Sequence, residues 1–241
     1  PLLRHFSTEY WGCSTPAIIA LFGDKRIVRS KGLYIKNGIN TSEFLFSNND
    51  RIEVRKEFGI AENEFVIGSV GRFDRQKNYA FLFRVLKQVK EASISFKVLL
   101  VGEGEEHNDL ANYIKDNGIS VIFTGVRTDV NKIMNAFDLF VLSSLYEGFS
   151  VVTVEAQTNG LNCLVSTAIP EEAVIRKNVK RISLDDVNSW EDEITSLIND
   201  YSFDLERRMH GYIDSRYAEF DITQTSKMVT EEYKRMISEE M

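Results

Sequence analysis

The sequence predicts an α/β fold, a doubly wound parallel sheet of the Rossmann-like kind. Three observations lead there. The runs FVIGSV (65–70) and FKVLLV (96–101) read as strands, and LFVL (139–142) is short and continuously apolar, the mark of a strand buried on both faces. The segments between them carry apolar residues at helical spacing. Strand and helix then alternate from residue 65 to about residue 200, as βαβ units do.

Taken in order, residues 1–36 read as the remnant of an N-terminal domain and its linker. TEYWGCSTPAIIALFG (8–23) suits a short helix stopped by Gly23, residues 33–35 a strand, and Asn37-Gly38 a turn. Residues 47–57 are polar and then charged without core periodicity, and read as linker. The main domain is expected over 37–200. In it, 65–70 is a strand, and 78–91 a helix whose core face is Phe81, Leu82, Val85, Leu86 and Val89. Residues 96–101 form the next strand, Leu110 and Ile114 mark a helix, and 121–123 is a strand. Val130, Ile133, Met134 and Phe137 mark another helix. Residues 138–167 read as strand, loop, helix, strand, with Ser150 as the helix cap and Gly160 as its left-handed stop. Pro170 is expected to open a helix through Arg176, with a weak strand near 181–184. Val187, Trp190, Ile194, Leu197 and Ile198 give one more amphipathic helix. Residues 201–241 are expected to be helices packing back toward the N-terminal side, with an apolar stripe of Ile222, Val229, Tyr233, Met236 and Ile237.

Composition narrows the class. The chain has 241 residues, 43% hydrophobic and 27% charged, which suffices for a core without staples. A net charge of −7 argues against nucleic acid as partner. Cys13 and Cys163 form no C-x-x-C motif and read as reduced thiols of a cytoplasmic protein. Neither a signal peptide nor a membrane-spanning run is visible. The start at Pro1 suggests a piece of something longer.

Open α/β sheets bind ligands beyond the carboxyl ends of their strands. Gly71-Arg72 with Lys77 follows the first strand, Gly102-Glu103-Gly104 the second, Gly125-Val126-Arg127 the third, and Glu147-Gly148-Phe149-Ser150 the fourth. Arg72 and Lys77 suit a diphosphate, one as a planar fork and the other as a movable point charge. Gly102-Glu103-Gly104 begins like a dinucleotide fingerprint, but His107 stands where the last glycine belongs, so only a tight turn that admits a ligand is read there. Glu155 lies among Val151, Val152, Val154 and Ala156, where a buried carboxylate needs partners, and a ribose diol offers two hydroxyl donors. His5, His107 and His210 read as surface residues, and no metal-ligand spacing or G-x-S-x-G elbow occurs.

These pieces together resemble the C-terminal, nucleotide-sugar-binding half of GT-B glycosyltransferases, of the retaining family that includes bacterial capsular and exopolysaccharide transferases. The matching residues are Asn37-Gly38-Ile39-Asn40, Ser69-Val70-Gly71-Arg72 with Lys77-Asn78, Val101-Gly102-Glu103-Gly104, Phe123-Thr124-Gly125, and Ser143 to Ser150 with the Glu147-x7-Glu155 spacing. The resemblance implies catalytic roles for Glu147, Arg72 and Lys77. Arg72 and Lys77, beside Gly71, would hold the donor diphosphate. Glu147 would meet hydroxyls of the transferred sugar, and the amides of Gly148, Phe149 and Ser150 would support sugar and phosphate. Glu155 would take the ribose, and the backbone at Val126 and Arg127 the base. It implies retention of configuration, no cofactor and no bound metal. The donor would be a UDP-sugar and the acceptor a saccharide or lipid-linked saccharide. That acceptor would be held by an N-terminal domain on the order of 100–200 residues long, in a full-length protein that associates peripherally with membranes. Asn40 and Asn162 depart from residues common in the family. A GT-B sugar-nucleotide epimerase and a non-catalytic nucleotide-binding domain are the rival readings.

Overall fold

A computed structural model describes residues 7–23, 32–92, 95–203, 205–209 and 219–239. Among these, β1 (Tyr10–Gly12) and β2 (Gly32–Tyr34) pair in parallel as a small two-stranded sheet. The main sheet is parallel throughout. It contains β3 (Val66–Val70), β4 (Lys97–Val101), β5 (Val121–Phe123), β6 (Leu139–Leu142), β7 (Asn162–Ser166) and β8 (Val179–Ile182), in the order β5-β4-β3-β6-β7-β8. The chain runs outward from β3 to β5, returns to β6 beside β3, and runs outward again to β8. β3 and β6 therefore flank the switch point, where such sheets open a crevice.

Successive strand residues enter opposite cores, as the pleat demands. Val66, Leu99 and Phe140 join one buried cluster, and Ile67, Leu100 and Val141 the other. Both faces are covered, which explains why the strands are so largely apolar. Helix α3 (Tyr79–Glu91) follows β3 and buries all five predicted face residues. Gly68 in β3 has no room for a side chain, since a Cβ there would lie 2.1 Å from the Phe137 ring.

The structure departs from the sequence reading in several elements. Only Thr15–Phe22 of the first segment is helical (α1), capped by Ser14 and ended by Gly23 at φ 73°, while Tyr10–Gly12 is drawn into β1. Residues 47–57 are not linker. Asn48–Glu57 is helix α2, with Arg51, Val54 and Arg55 buried. Its core face is built from guanidiniums, so no apolar period appears. Arg51 Nη2 lies 2.7 Å from Asp138 Oδ1, and Arg55 Nη2 lies 2.6 Å from Asp138 Oδ2. Asp138 Oδ2 also accepts from the Val66 amide at 2.8 Å, and Oδ1 from the Tyr201 hydroxyl at 3.0 Å.

Helix α4 (His107–Asp116) matches its expected place. The predicted helix through 130–137 divides into α5 (Val130–Ile133) and a 3₁₀ turn at Met134–Ala136. The unit after β6 contains α6 (Val151–Thr158), closed by Gly160 at φ 80°. Pro170 opens only a 3₁₀ turn, Glu171–Ala173, because Gln157 Oε1 draws the Ile175 and Arg176 amides out of a helical path. The weak strand lies slightly earlier than expected, at β8. Helix α7 (Val187–Asn199) has its predicted apolar face, with Trp190 and Ile194 buried. Helices α8 (Leu205–Met209) and α9 (Ile222–Glu239) complete the described chain. Of the terminal stripe, Ile222, Tyr233 and Ile237 are exposed, and Tyr233 meets Trp11 edge-on with ring centroids 5.1 Å apart. His5 and His210 lie outside the described residues.

Removing a carboxylate that faces two buried guanidiniums strands both charges. Asp138→Ala is expected to cost roughly 3–5 kcal/mol in urea denaturation.

Candidate functional site

The loops after β3 and β6 meet at the switch point and are tied side by side. Leu145 N donates to the Gln76 carbonyl at 2.8 Å, and Gln76 Nε2 to the Tyr146 carbonyl at 3.0 Å. Ser143 Oγ donates to the Asn78 carbonyl at 3.0 Å, and Asn78 itself takes a left-handed backbone with φ 54°. This arrangement brings two sequence-predicted residues together. Lys77 Nζ lies 2.6 Å from Glu147 Oε1, with the two side chains 16% and 8% exposed. Ser144 Oγ donates to the same Oε1 at 2.8 Å. Among the described residues nothing bonds Glu147 Oε2, which leaves that oxygen available as an acceptor.

Gly71 makes room for the lysine. A Cβ there would lie 3.0 Å from Lys77 Cε. Gly102 and Gly104 serve the loops themselves. Gly102 has φ 133°, and a Cβ on it would lie 2.1 Å from the Gly71 carbonyl oxygen. A Cβ on Gly104 would lie 2.3 Å from that of Phe73. The close approach that the sequence assigned to a ligand is made there by protein backbone.

The loop before α6 carries unpaired backbone donors. Among the described residues none accepts from the N–H of Gly148, Phe149 or Ser150. Ser14 Oγ donates to the Gly148 carbonyl. Because the peptide is trans, this turns the Phe149 N–H the opposite way. The Phe149 ring is buried and stacks on Phe220 at 5.8 Å, so only its amide can serve a ligand. Ser150 does not cap α6 with its side chain. Its backbone is left-handed, φ 74°, whereas capping uses an extended residue, and its hydroxyl instead meets Thr153 Oγ1 at 2.7 Å. A non-glycine residue held there is strained, which is common beside ligand sites.

Glu155, in α6, is half-buried, and its carboxylate has no protein partner among the described residues. Burial alone raises its pKa from 4.5 to about 7. The remaining cations are placed differently. The Arg72 side chain is 79% exposed and lies 3.2 Å from Asp74 Oδ2, without contact to Lys77 or Glu147. The Arg127 guanidinium is engaged by Asp129 and Glu57, each at 2.8 Å, so only its backbone is free for a base. Val126 beside it is 72% exposed. Among the described residues no group of His, Cys, Asp and Glu could hold a metal ion, and His107 packs against Phe73 and Phe123.

The sequence reading missed Ser144, Asp74 and Ser14. Asp74 Oδ1 accepts from the Lys77 amide at 3.1 Å and shapes that loop. Ser144 stands three residues before Glu147, a spacing on which a side-chain bond inside a turn could have been suspected. Ser14 is 134 residues from its partner, and no local signal points to it.

A parallel sheet with a cation, a carboxylate and unpaired amides at its switch point defines a doubly wound α/β domain with polar groups gathered where such sheets bind ligands. Comparison with known proteins makes the class specific. Residues 50–215 match the family model of group 1 glycosyl transferases, and the chain belongs to that family. It is 34% identical over 196 residues to the putative glycosyltransferase EpsF of Bacillus subtilis, covering 78% of this chain and 50% of that protein. It is 30% identical over 201 residues to an Escherichia coli UDP-Gal:α-D-GlcNAc-diphosphoundecaprenol α-1,3-galactosyltransferase, covering 77% of this chain and 52% of that one. The chain thus spans about half the length of these relatives. The fold superposes on Anabaena HepE in complex with UDP-glucose at a TM-score of 0.80, with 22% identity, 97% of this chain and 65% of that one. Among the described residues no helix is long and apolar enough to cross a membrane.

Glu155 has a measurable signature. Its raised pKa means that the folded state holds the proton more tightly than the unfolded chain does. Stability is therefore lost as pH rises from 4.5 through about 7. Glu155→Gln should be more stable than the parent at pH 8, by up to about 3 kcal/mol. The gain should shrink steadily toward pH 4.5, as urea denaturation across pH would record.

Proposed function

We propose that this chain is the donor-binding half of a retaining glycosyltransferase that moves a sugar from a UDP-sugar. Its acceptor is a saccharide or lipid-linked saccharide in surface polysaccharide synthesis, at the cytoplasmic side. Residues 37–200 form the nucleotide-sugar-binding domain, residues 1–36 belong to the preceding domain, and 201–241 return toward it. The carrying observation is the paired Lys77 and Glu147 beside the unpaired amides of Gly148 to Ser150. Lys77 and those amides offset the charge that builds on the leaving diphosphate, and fixed donors do this without reorganising. Arg72, exposed and tethered only to Asp74, closes on the diphosphate from outside. Glu147 Oε2 accepts from the sugar, and Glu155 from the ribose diol. The backbone at Val126 and Arg127 meets the base. The galactosyl transfer from UDP-Gal to a diphosphoundecaprenol acceptor by the E. coli relative and the UDP-glucose held by HepE favour a uridine diphosphate donor and a lipid-linked acceptor.

Calorimetry with UDP and a panel of UDP-hexoses tests this directly. The chain should bind UDP, and Lys77→Ala or Arg72→Ala should each weaken it by about 1.5–3 kcal/mol, the worth of a charge-assisted contact. Glu155→Gln should lose the preference for UDP over its 2′,3′-dideoxy analogue. Unchanged UDP affinity in both cation variants would remove the site assignment.

A further inference from the structure

Two donors converge on one oxygen of Glu147, and they differ in kind. Lys77 reaches Oε1 at the end of a flexible four-carbon stem, and its ammonium is the group assigned above to the donor diphosphate. Ser144 reaches the same oxygen from a fully buried position on a short side chain, with its hydroxyl 2.8 Å away. Its own carbonyl accepts from Ser166 Oγ at 2.6 Å, so the backbone that carries it is held from β7. An arriving diphosphate competes for the Lys77 ammonium. Nothing in the donor competes for the buried Ser144 hydroxyl, and that bond alone then keeps Oε1 in place and Oε2 turned outward.

We propose that Ser144 is a positioning residue: it anchors the Glu147 carboxylate so that its free oxygen reads the donor sugar while Lys77 serves the diphosphate. This rests on the donor-site reading and adds to it a division of labour within the site. Sugar recognition depends on Ser144, and nucleotide recognition does not. A carboxylate held by one short buried donor keeps its rotation, whereas one held by a lysine shared with phosphate swings about its last torsion.

The test compares UDP with UDP-hexoses on the same chain. Ser144→Ala should bind UDP within twofold of the parent and bind its best UDP-hexose about tenfold more weakly, the loss expected for one hydrogen bond to a charged group. Ser144→Thr, which keeps the hydroxyl, should restore the sugar-dependent part. In crystals of Ser144→Ala soaked with UDP, the Glu147 carboxylate should leave its parental orientation. Equal losses for UDP and UDP-hexose would make Ser144 a structural residue only. An unchanged UDP-hexose affinity, or a Glu147 that stays put, would also overturn the inference. A parent chain that binds UDP while Ser144→Ala loses nothing refutes this inference alone. A parent chain that binds no UDP refutes the donor-site reading and this inference with it.

Discussion

The buried carboxylate of Asp138 fixes the frame on which the rest depends. It sits one residue before β6, takes a guanidinium on each oxygen from α2, and accepts from the first amide of β3. The two strands that flank the crevice are thereby pinned to each other at their amino ends, in the register Ile67↔Leu139 and Gly68↔Phe140. A slip of one residue would displace one strand by roughly 3.3 Å and reverse its faces. The Lys77–Glu147 contact, 2.6 Å long at the opposite ends of the same strands, tolerates no such slip. Apolar packing alone would permit more freedom than a carboxylate with saturated partners.

That cluster also marks the limit of what could be read from the chain. The strands and α3 were legible because their burial is expressed in apolar residues with the right period. Helix α2 was not, since Arg51 and Arg55 occupy core positions and hydropathy counts them as surface. Their burial makes sense only with Asp138, more than eighty residues away. The helix expected after Pro170 failed for a related reason, because a distant glutamine side chain takes the amides that would have extended it. Both errors arise where a polar side chain replaces backbone or apolar partners, and neither local propensity nor periodicity records such a replacement.

The candidate site residues that the fold brings together were more legible than their supports. The rule that ligands gather at strand carboxyl ends sufficed to pick out Lys77 and Glu147, which the fold brings into contact across seventy residues of chain. It could not say that Arg72 would stand apart in solvent or that Arg127 would be engaged by two acids. Nor could it separate glycines that admit a ligand from those that admit a neighbouring loop. Gly102 and Gly104 proved to be the second kind, and Gly71 makes room for the stem of Lys77.

The free site holds its charges in opposed states, and this bears on how a donor would be selected. Lys77 and Glu147 neutralise each other, so a bare anion meets little attraction there beyond the amides of the loop. Glu155 is in the contrary condition, a half-buried acid without a partner that ionises only near pH 7. A ligand that brings only phosphate gains the lysine at the expense of the glutamate. One that brings phosphate together with hydroxyls at both ends compensates Glu147 as the lysine is drawn away, and supplies Glu155 with the donors it lacks. On this reading, each partial ligand leaves Glu147 without its lysine or Glu155 without donors. Under the proposed donor-site reading, discrimination in favour of the complete nucleotide-sugar would arise from the cost of those unpaired groups, and this would require no contact that senses the whole molecule at once.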